Sequence, residues 1–361
     1  MKRVKLFLSI VFILFLAACG NSNQSSEPSS TEEKNDTDSQ ETANDESYVL
    51  KMSHGFPTGA FHHTFMEWFA DEVETKSDGR LKIEIYPTGQ LMPPDQEVPA
   101  MLQGQIDMSH SSSPVLAGFD PIWNFYELPF LFESDSDDPS VYLEEKIKFN
   151  QAENGGQQIV RLMEEKGLKV ISLNFVDMFG SVFTTSTDNM ITTPESANGL
   201  KLRTPGGLIG PETVKAIGAS GMTIAGSEVI TALQQGVVDG LLTTPLYAHD
   251  AQLPIKSFSA VPVFNSVTPV VMSLSKFDSL PEDLQEVLLQ AGRDLEIYAK
   301  EQVGEKAKTV FSNLENQGVE IFYPTEDEMA QWEEATQPAK ELFMNEVEGG
   351  KELLETLSSL N

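Results

Sequence analysis

The sequence predicts an α/β protein built from two similar lobes, with a long helix spanning both. Three observations predict it. Residues 48–109 read as strand, helix, strand, helix, strand; residues 168–241 repeat that rhythm; and Pro281-Glu282-Asp283-Leu284-Gln285-Glu286 opens a helical pattern lasting to about residue 314. Strands alternating with helices imply parallel pairing through helical crossovers. A chain of 361 residues, 40% of them hydrophobic, is long enough for two such units.

The elements follow in order. Tyr48-Val49-Leu50-Lys51-Met52-Ser53 alternates as a strand and runs into the turn Gly55-Phe56-Pro57-Thr58-Gly59. Phe61, Phe65, Trp68, Phe69 and Val73 carry helical spacing over 61–76, and Asp78-Gly79 closes that helix. A second alternating strand covers Leu81–Tyr86, a helix lies near 95–103, and a third strand lies around 106–109. In the second unit, strands are predicted at 168–173, 200–204 and 222–224, with helices at 212–217 and near 227–235. Gly236-Val237-Val238-Asp239-Gly240 resembles Gly104-Gln105-Ile106-Asp107-Met108, so a helix, a Gly and a strand opening with Asp occur in both units. The stretch 325–361 reads as acidic helix that packs and solvates.

Ahead of the folded body stand a positive segment (Lys2, Arg3, Lys5) and the apolar run Leu6–Leu16. That run is short for a membrane span and suits a signal peptide. Leu16-Ala17-Ala18-Cys19-Gly20 looks like a bacterial lipobox, in which the Cys is lipidated and becomes the new N-terminus. Cys19 is the one Cys of the chain. Residues 21–48 are dominated by Asn, Ser, Gln, Glu, Thr and Asp, with eight acids against Lys34. Such a segment buries too little apolar surface to order itself and reads as a solvated spacer.

Charge and residue types narrow the function. The formal charge of −31 repels polyphosphate and anionic lipid surfaces, so no nucleic-acid partner is expected. One Cys excludes an intramolecular disulfide and Cys-based metal clusters. The five His show no H-E-x-x-H spacing, and no Gly-x-Ser-x-Gly elbow, P-loop or dinucleotide fingerprint occurs. No cofactor, metal or catalytic set is expected. Glu164-Glu165 and Glu333-Glu334 read as solvated faces.

Several motifs then line up with a family. Phe69-Ala70-Asp71-Glu72-Val73, Asp78-Gly79-Arg80-Leu81, Tyr86-Pro87-Thr88-Gly89-Gln90-Leu91 and Glu127-Leu128-Pro129-Phe130 come in order. Gly199-Leu200-Lys201-Leu202-Arg203, Ser227–Gly240 and Leu280-Pro281-Glu282-Asp283-Leu284-Gln285 complete the series. Over roughly residues 49–325 the chain resembles the extracytoplasmic solute-binding proteins of TRAP (tripartite ATP-independent periplasmic) transporters, the DctP-like group. The resemblance implies a two-lobe architecture like that of periplasmic binding proteins. It implies capture of an organic-acid anion in the inter-lobe cleft and delivery to the membrane subunits of an ion-gradient-driven TRAP permease. With the lipobox, it implies an exported receptor held at the outer face of the cell membrane by its lipid. The expected division is 1–18 signal peptide, 19–48 lipidated tether, 49–178 plus about 268–307 lobe I, and 179–267 plus about 308–361 lobe II. A sensing lipoprotein partnered with a kinase is the alternative, and an exported hydrolase a more distant one.

Arg203 is the leading candidate binding residue. It ends a strand just before Thr204-Pro205-Gly206-Gly207, where an open α/β sheet places its crevice. Its planar fork of donors fits a carboxylate bidentately, and the family's carboxylate-binding Arg falls here. Elsewhere the chain departs from the family pattern. Ser181 stands for a second Arg, Thr243 (followed by Thr244) for an Asn, Gly226 for a bulky aromatic, and Ser112 for an acidic residue. Phe56, Phe179 and Tyr247 are candidate apolar walls, and His54 a candidate hydrogen-bond donor to ligand, with His62 and His63 read as helix-surface imidazoles. One firm anion anchor with short hydroxyls and extra volume points to a monocarboxylate with a larger or less polar body.

Overall fold

The structure, a computed structural model, describes residues 46–134 and 138–360. The export signal, Cys19 and the tether through residue 45 lie outside them. Alternation in Tyr48–Ser53 (β1) leads through a turn to Phe61–Lys76 (α1) and Leu81–Tyr86 (β2). Glu97–Leu102 (α2), Met108–His110 (β3) and Ser113–Leu116 (α3) follow, then a 3-10 segment over Pro121–Glu127. Pro139–Gln151 (α4), Gly156–Glu165 (α5) and Leu168–Ser172 (β4) finish the first half. The second half opens with Gly180–Thr184 (β5), Lys201–Thr204 (β6), Ile209–Ala216 (α6) and Ser220–Thr223 (β7). Val229–Gln234 (α7), Gly240–Thr243 (β8), Pro245–Asp250 (α8), Ser257–Phe264 (β9) and Val270–Ser273 (β10) come next. Leu274–Asp278 (α9), Glu282–Asn316 (α10), Glu320–Phe322 (β11), Glu326–Glu346 (α11) and Gly350–Leu360 (α12) end the chain.

Two sheets result, in the orders β2-β1-β3-β10-β4 and β11-β9-β5-β8-β6-β7. The opening βαβαβ unit pairs parallel, as its helical crossovers require. Neither sheet is wholly parallel, however. β10 runs antiparallel to β3 and β4, and β5 runs antiparallel to β8 and β9. Both reversals come from segments that cross between the sheets: 173–179 leads from β4 to β5, and 265–269 leads from β9 to β10. The crossings touch, with the Thr268 amide donating to the Asn174 carbonyl at 2.8 Å.

α1 buries His62, Phe65, Met66, Phe69 and Val73, a stripe at helical spacing. It ends where Asp78 and Gly79 take positive φ and the Gly79 amide closes on the Glu74 carbonyl at 2.9 Å. α10 is the long helix expected, with a buried line from Leu284 to Leu314. It packs on α1, β4, α4, α8 and β11. One expectation fails at the C-terminus. The stretch from about 308 to 361 does not stay with the second sheet, because α12 turns back onto α4 and the 3-10 segment. Lys148 Nζ donates to the Leu360 carbonyl there. Burial of Leu353 and Leu357 makes that return favourable.

Close approach of α10 to β4 depends on Gly292. A Cβ at that position would lie 2.1 Å from the Ile171 carbonyl oxygen, whereas one at Gly304 would meet only Leu143 Cδ1 at 3.8 Å. Gly292→Ala should therefore destabilise the protein by about 1–3 kcal/mol through overpacking. Gly304→Ala should stabilise it by about 0.5–1 kcal/mol through helix propensity. Urea unfolding of the two variants checks the opposite signs.

Candidate functional site

Between the two sheets lies a cleft of ≈ 680 Å³, a size that accepts a small organic ligand. Its walls come from the loops after β1, β2 and β3 on one side and after β6, β7 and β8 on the other. These are the carboxyl ends of strands, where open α/β sheets place ligands.

On the second-sheet wall Arg203 is buried near the end of β6. Its Nε donates to the Ile224 carbonyl at 2.8 Å, which holds the guanidinium plane. Burial lowers its pKa to about 10, and the nearby Tyr247 phenol opposes that shift. The group stays cationic at neutral pH, and among the described residues no carboxylate pairs with it. Behind it, Gly206 and Gly207 turn with φ of 138° and 73°. A Cβ on Gly207 would fall 2.0 Å from Glu127 Oε1, so only glycine lets the loop sit against the 3-10 segment. The Leu208 amide donates to Asn124 Oδ1 at 2.7 Å and ties that loop down.

Thr243 and Thr244 close β8 and line the cleft beside Tyr247 of α8. Asp177 fixes this corner. The carboxylate accepts from the amides of Met178 (2.9 Å), Leu246 (3.2 Å) and Tyr247 (2.9 Å), and from the Thr244 hydroxyl. Burial pushes its pKa up to about 7 against those bonds. Lys146 of α4 donates to the Ser266 carbonyl at 3.3 Å and lies over the Tyr142 ring. Its own burial depresses its pKa to about 7.

The first-sheet wall is aromatic. Phe56 stacks on His62 with 3.8 Å between ring centroids, and Tyr247 stands perpendicular to His62 at 5.5 Å. His110 completes the group, 5.9 Å from His62. Ser111 and Ser112 follow His110 along the wall.

Seven residues picked out from sequence line this cleft together: Arg203, Thr243, Thr244, Ser112, Phe56, Gly226 and Tyr247. A Cβ at Gly226 would meet nothing within 4 Å, so the glycine leaves open volume there. Three expectations are corrected. The Ser181 hydroxyl is spent inside the sheet on the Ser259 carbonyl. His54 is fully buried behind the wall, its Nδ1 accepting from the Phe56 amide at 3.2 Å and its Nε2 bonded to His63 Nδ1 at 3.1 Å. Phe179 packs edge-on to Tyr142 and Phe311 in the core beneath the crossings. His62 is no surface imidazole either. It lies on the buried stripe of α1, and a His in register with Phe65, Phe69 and Val73 was the available signal. No local pattern marked His110, Asp177 or Glu97. Among the described residues no three His, Cys, Asp or Glu side chains are placed to hold a metal ion.

Glu97 lies under the wall. Its carboxyl accepts from Ser53 Oγ at 3.0 Å and from Ser111 Oγ. Burial raises its pKa to about 7 despite those bonds, from an ordinary 4.5. The folded protein thus holds this proton more tightly than the unfolded chain. Its contribution is full below pH 4.5 and is lost as pH rises toward 7. Glu97→Gln, which cannot ionise, should be more stable than the parent at pH 8, by up to about 3 kcal/mol. The difference should fade by pH 4.5, and urea unfolding across that range measures it.

Known proteins agree with this architecture. The family described as bacterial extracellular solute-binding protein, family 7, matches residues 52–346. The C4-dicarboxylate-binding periplasmic protein of Rhodobacter capsulatus is 27% identical over 300 residues, covering 81% of this chain and 85% of that one. The 2,3-diketo-L-gulonate-binding periplasmic protein of Escherichia coli is 24% identical over 301 residues, covering 82% and 88%. A TRAP periplasmic solute-binding protein from Rhodoferax ferrireducens, solved with malonate, superposes with a TM-score of 0.76 at 25% identity, covering 86% of this chain and 98% of that one. One from Desulfovibrio salexigens, solved with orotic acid, gives 0.78 at 21% identity, covering 87% and 98%. With its two sheets, its long bridging helix and its cleft, the chain belongs to the bacterial extracellular solute-binding proteins of family 7.

Proposed function

We propose that the cleft captures a monocarboxylate with a less polar body and that Arg203 holds its carboxylate. The observation that carries this reading is a buried guanidinium on the cleft wall with no acidic partner. A cation so placed lacks a counter-charge until an anion arrives. Ser112, Thr243 and Thr244 offer short neutral hydrogen bonds, and the open space at Gly226 admits bulk. Relatives solved with succinate, malonate, L-gulonate and orotic acid support organic acids as the ligand class. Because both walls face the ligand, binding favours a closed arrangement of two lobes hinged at 173–179 and 265–269. The closed receptor delivers its solute to the membrane subunits of a TRAP permease. The lipid on Cys19 keeps it near them.

Calorimetric titration with an acid found by thermal-shift screening tests the anchor. Arg203→Lys keeps the charge and loses the planar fork, and should weaken binding roughly 10- to 150-fold. Arg203→Ala should do worse. Thr243→Ala should cost about fivefold, one neutral hydrogen bond. Ser181→Ala should leave affinity unchanged and lower stability by about 1 kcal/mol, since its bond is internal to the sheet. Normal binding by a folded Arg203→Ala protein would remove the anchor.

Retention is tested separately. A lipid-bearing Cys confers membrane association that the acidic body does not supply. Cys19→Ala should move the protein from the membrane to the soluble fraction. A variant that still sediments with membranes places the anchor elsewhere.

A further inference from the structure

Two cleft-lining side chains are left over by the reading above. His62 of α1 is 5% exposed and His110 of β3 is 0% exposed, and both line the cleft. His62 Nδ1 and both ring nitrogens of His110 make no hydrogen bond among the described residues. The Thr268 and Pro269 carbonyls approach the His110 ring without reaching hydrogen-bond geometry to either nitrogen. Buried polar atoms in native proteins are nearly always paired, so unpaired nitrogens buried in residues that line a cleft point to a partner that enters it.

Position and chemistry limit that partner. Arg203 belongs to the second sheet, His110 to the first, and His62 to α1, which packs on β2 of the first sheet. Tyr247 connects the two ends, close enough to Arg203 for the cation to act on its phenol and 5.5 Å from the His62 ring. The imidazoles sit among aromatic faces, His62 flat against Phe56 and both rings within 6.2 Å of Phe56 or another imidazole. Burial, and repulsion from the neighbouring imidazoles, keep both neutral near pH 7. A neutral imidazole offers one donor and one acceptor. It pairs with a hydroxyl, carbonyl or amide, whereas a carboxylate pressed against aromatic faces with no cation nearby is strongly disfavoured.

We propose that His62 and His110 form a second recognition subsite that reads a neutral hydrogen-bonding group at the far end of the ligand and rejects a second carboxylate. The proposal rests on Arg203 holding the first carboxylate. It makes the receptor selective for hydroxy-, oxo- or amido-monocarboxylates over diacids.

Two matched pairs test it by calorimetric titration at pH 7.5: 4-hydroxybenzoate against terephthalate, and 4-hydroxybutanoate against succinate. Within each pair the first carboxylate and the spacer are shared, and only the far end differs. The hydroxy acid should bind at least tenfold more tightly than its diacid in the pair whose length fits. His62→Phe and His110→Phe keep the ring packing and remove the nitrogens. Each should weaken hydroxy-acid binding by about fivefold, one neutral hydrogen bond, and narrow the preference over the diacid. Arg203→Ala should abolish binding of every acid. A diacid that binds the parent as tightly as its hydroxy partner overturns the subsite, as does failure of all four acids to bind. So do Phe variants that keep full hydroxy-acid affinity while Arg203→Ala loses it, a result that leaves the anchor standing. If either Phe variant does not fold, the parent's pairwise comparison still decides.

Discussion

Asp177 is the constraint on which the cleft depends. Its buried carboxylate gathers the amides of Met178, Leu246 and Tyr247 with the Thr244 hydroxyl, joining the crossing out of β4 to the start of α8. Thr244 and Tyr247, which are cleft wall, are thus positioned by a residue of the crossing. Beside it, the Thr268 amide meets the Asn174 carbonyl and Lys146 meets the Ser266 carbonyl, so both crossings belong to one hydrogen-bonded unit. Removing Asp177 would leave buried amides unpaired where precision in the cleft is set.

The electrostatics of the cleft follow from burial. Asp95 and Glu228 stand exposed at its edge, and Arg203 is the cation inside. Burial drives the other polar groups of the walls toward neutrality: imidazoles lose their proton readily, and Glu97 holds one up to about pH 7. The guanidinium therefore keeps a field that no neighbouring carboxylate among the described residues cancels. In a chain of charge −31 that is a local reversal of sign.

Much of this was legible in the sequence. Alternation in Tyr48–Ser53 and Leu81–Tyr86, the apolar stripe of α1 and the Asp78-Gly79 stop are local signals of dihedral preference and side-chain period, and they appear as read. Arg203 was legible for the same reason, standing at a strand end before a Pro-Gly-Gly turn. The length of α10 followed from an uninterrupted helical period.

What local pattern does not carry is which side of a strand faces the cleft and which distant segments meet. Ser181 and Thr243 are directly paired across β5 and β8, yet the Ser181 hydroxyl is consumed by the Ser259 carbonyl while Thr243 opens to the cleft. His54 and His62 lie eight residues apart, and the one predicted to face ligand is behind the wall while the other lines it. The gathering of Asp177, Lys146 and the 265–269 crossing joins residues scattered over more than a hundred positions. The sequence by itself determined the elements, the family and the choice of Arg203 as candidate anchor, because those rest on local period and on a motif contiguous in the chain. The tertiary structure alone decided the bracket of hydrogen bonds around Asp177 and the imidazole wall, because burial and hydrogen-bond partnership are properties of neighbours that only folding brings together.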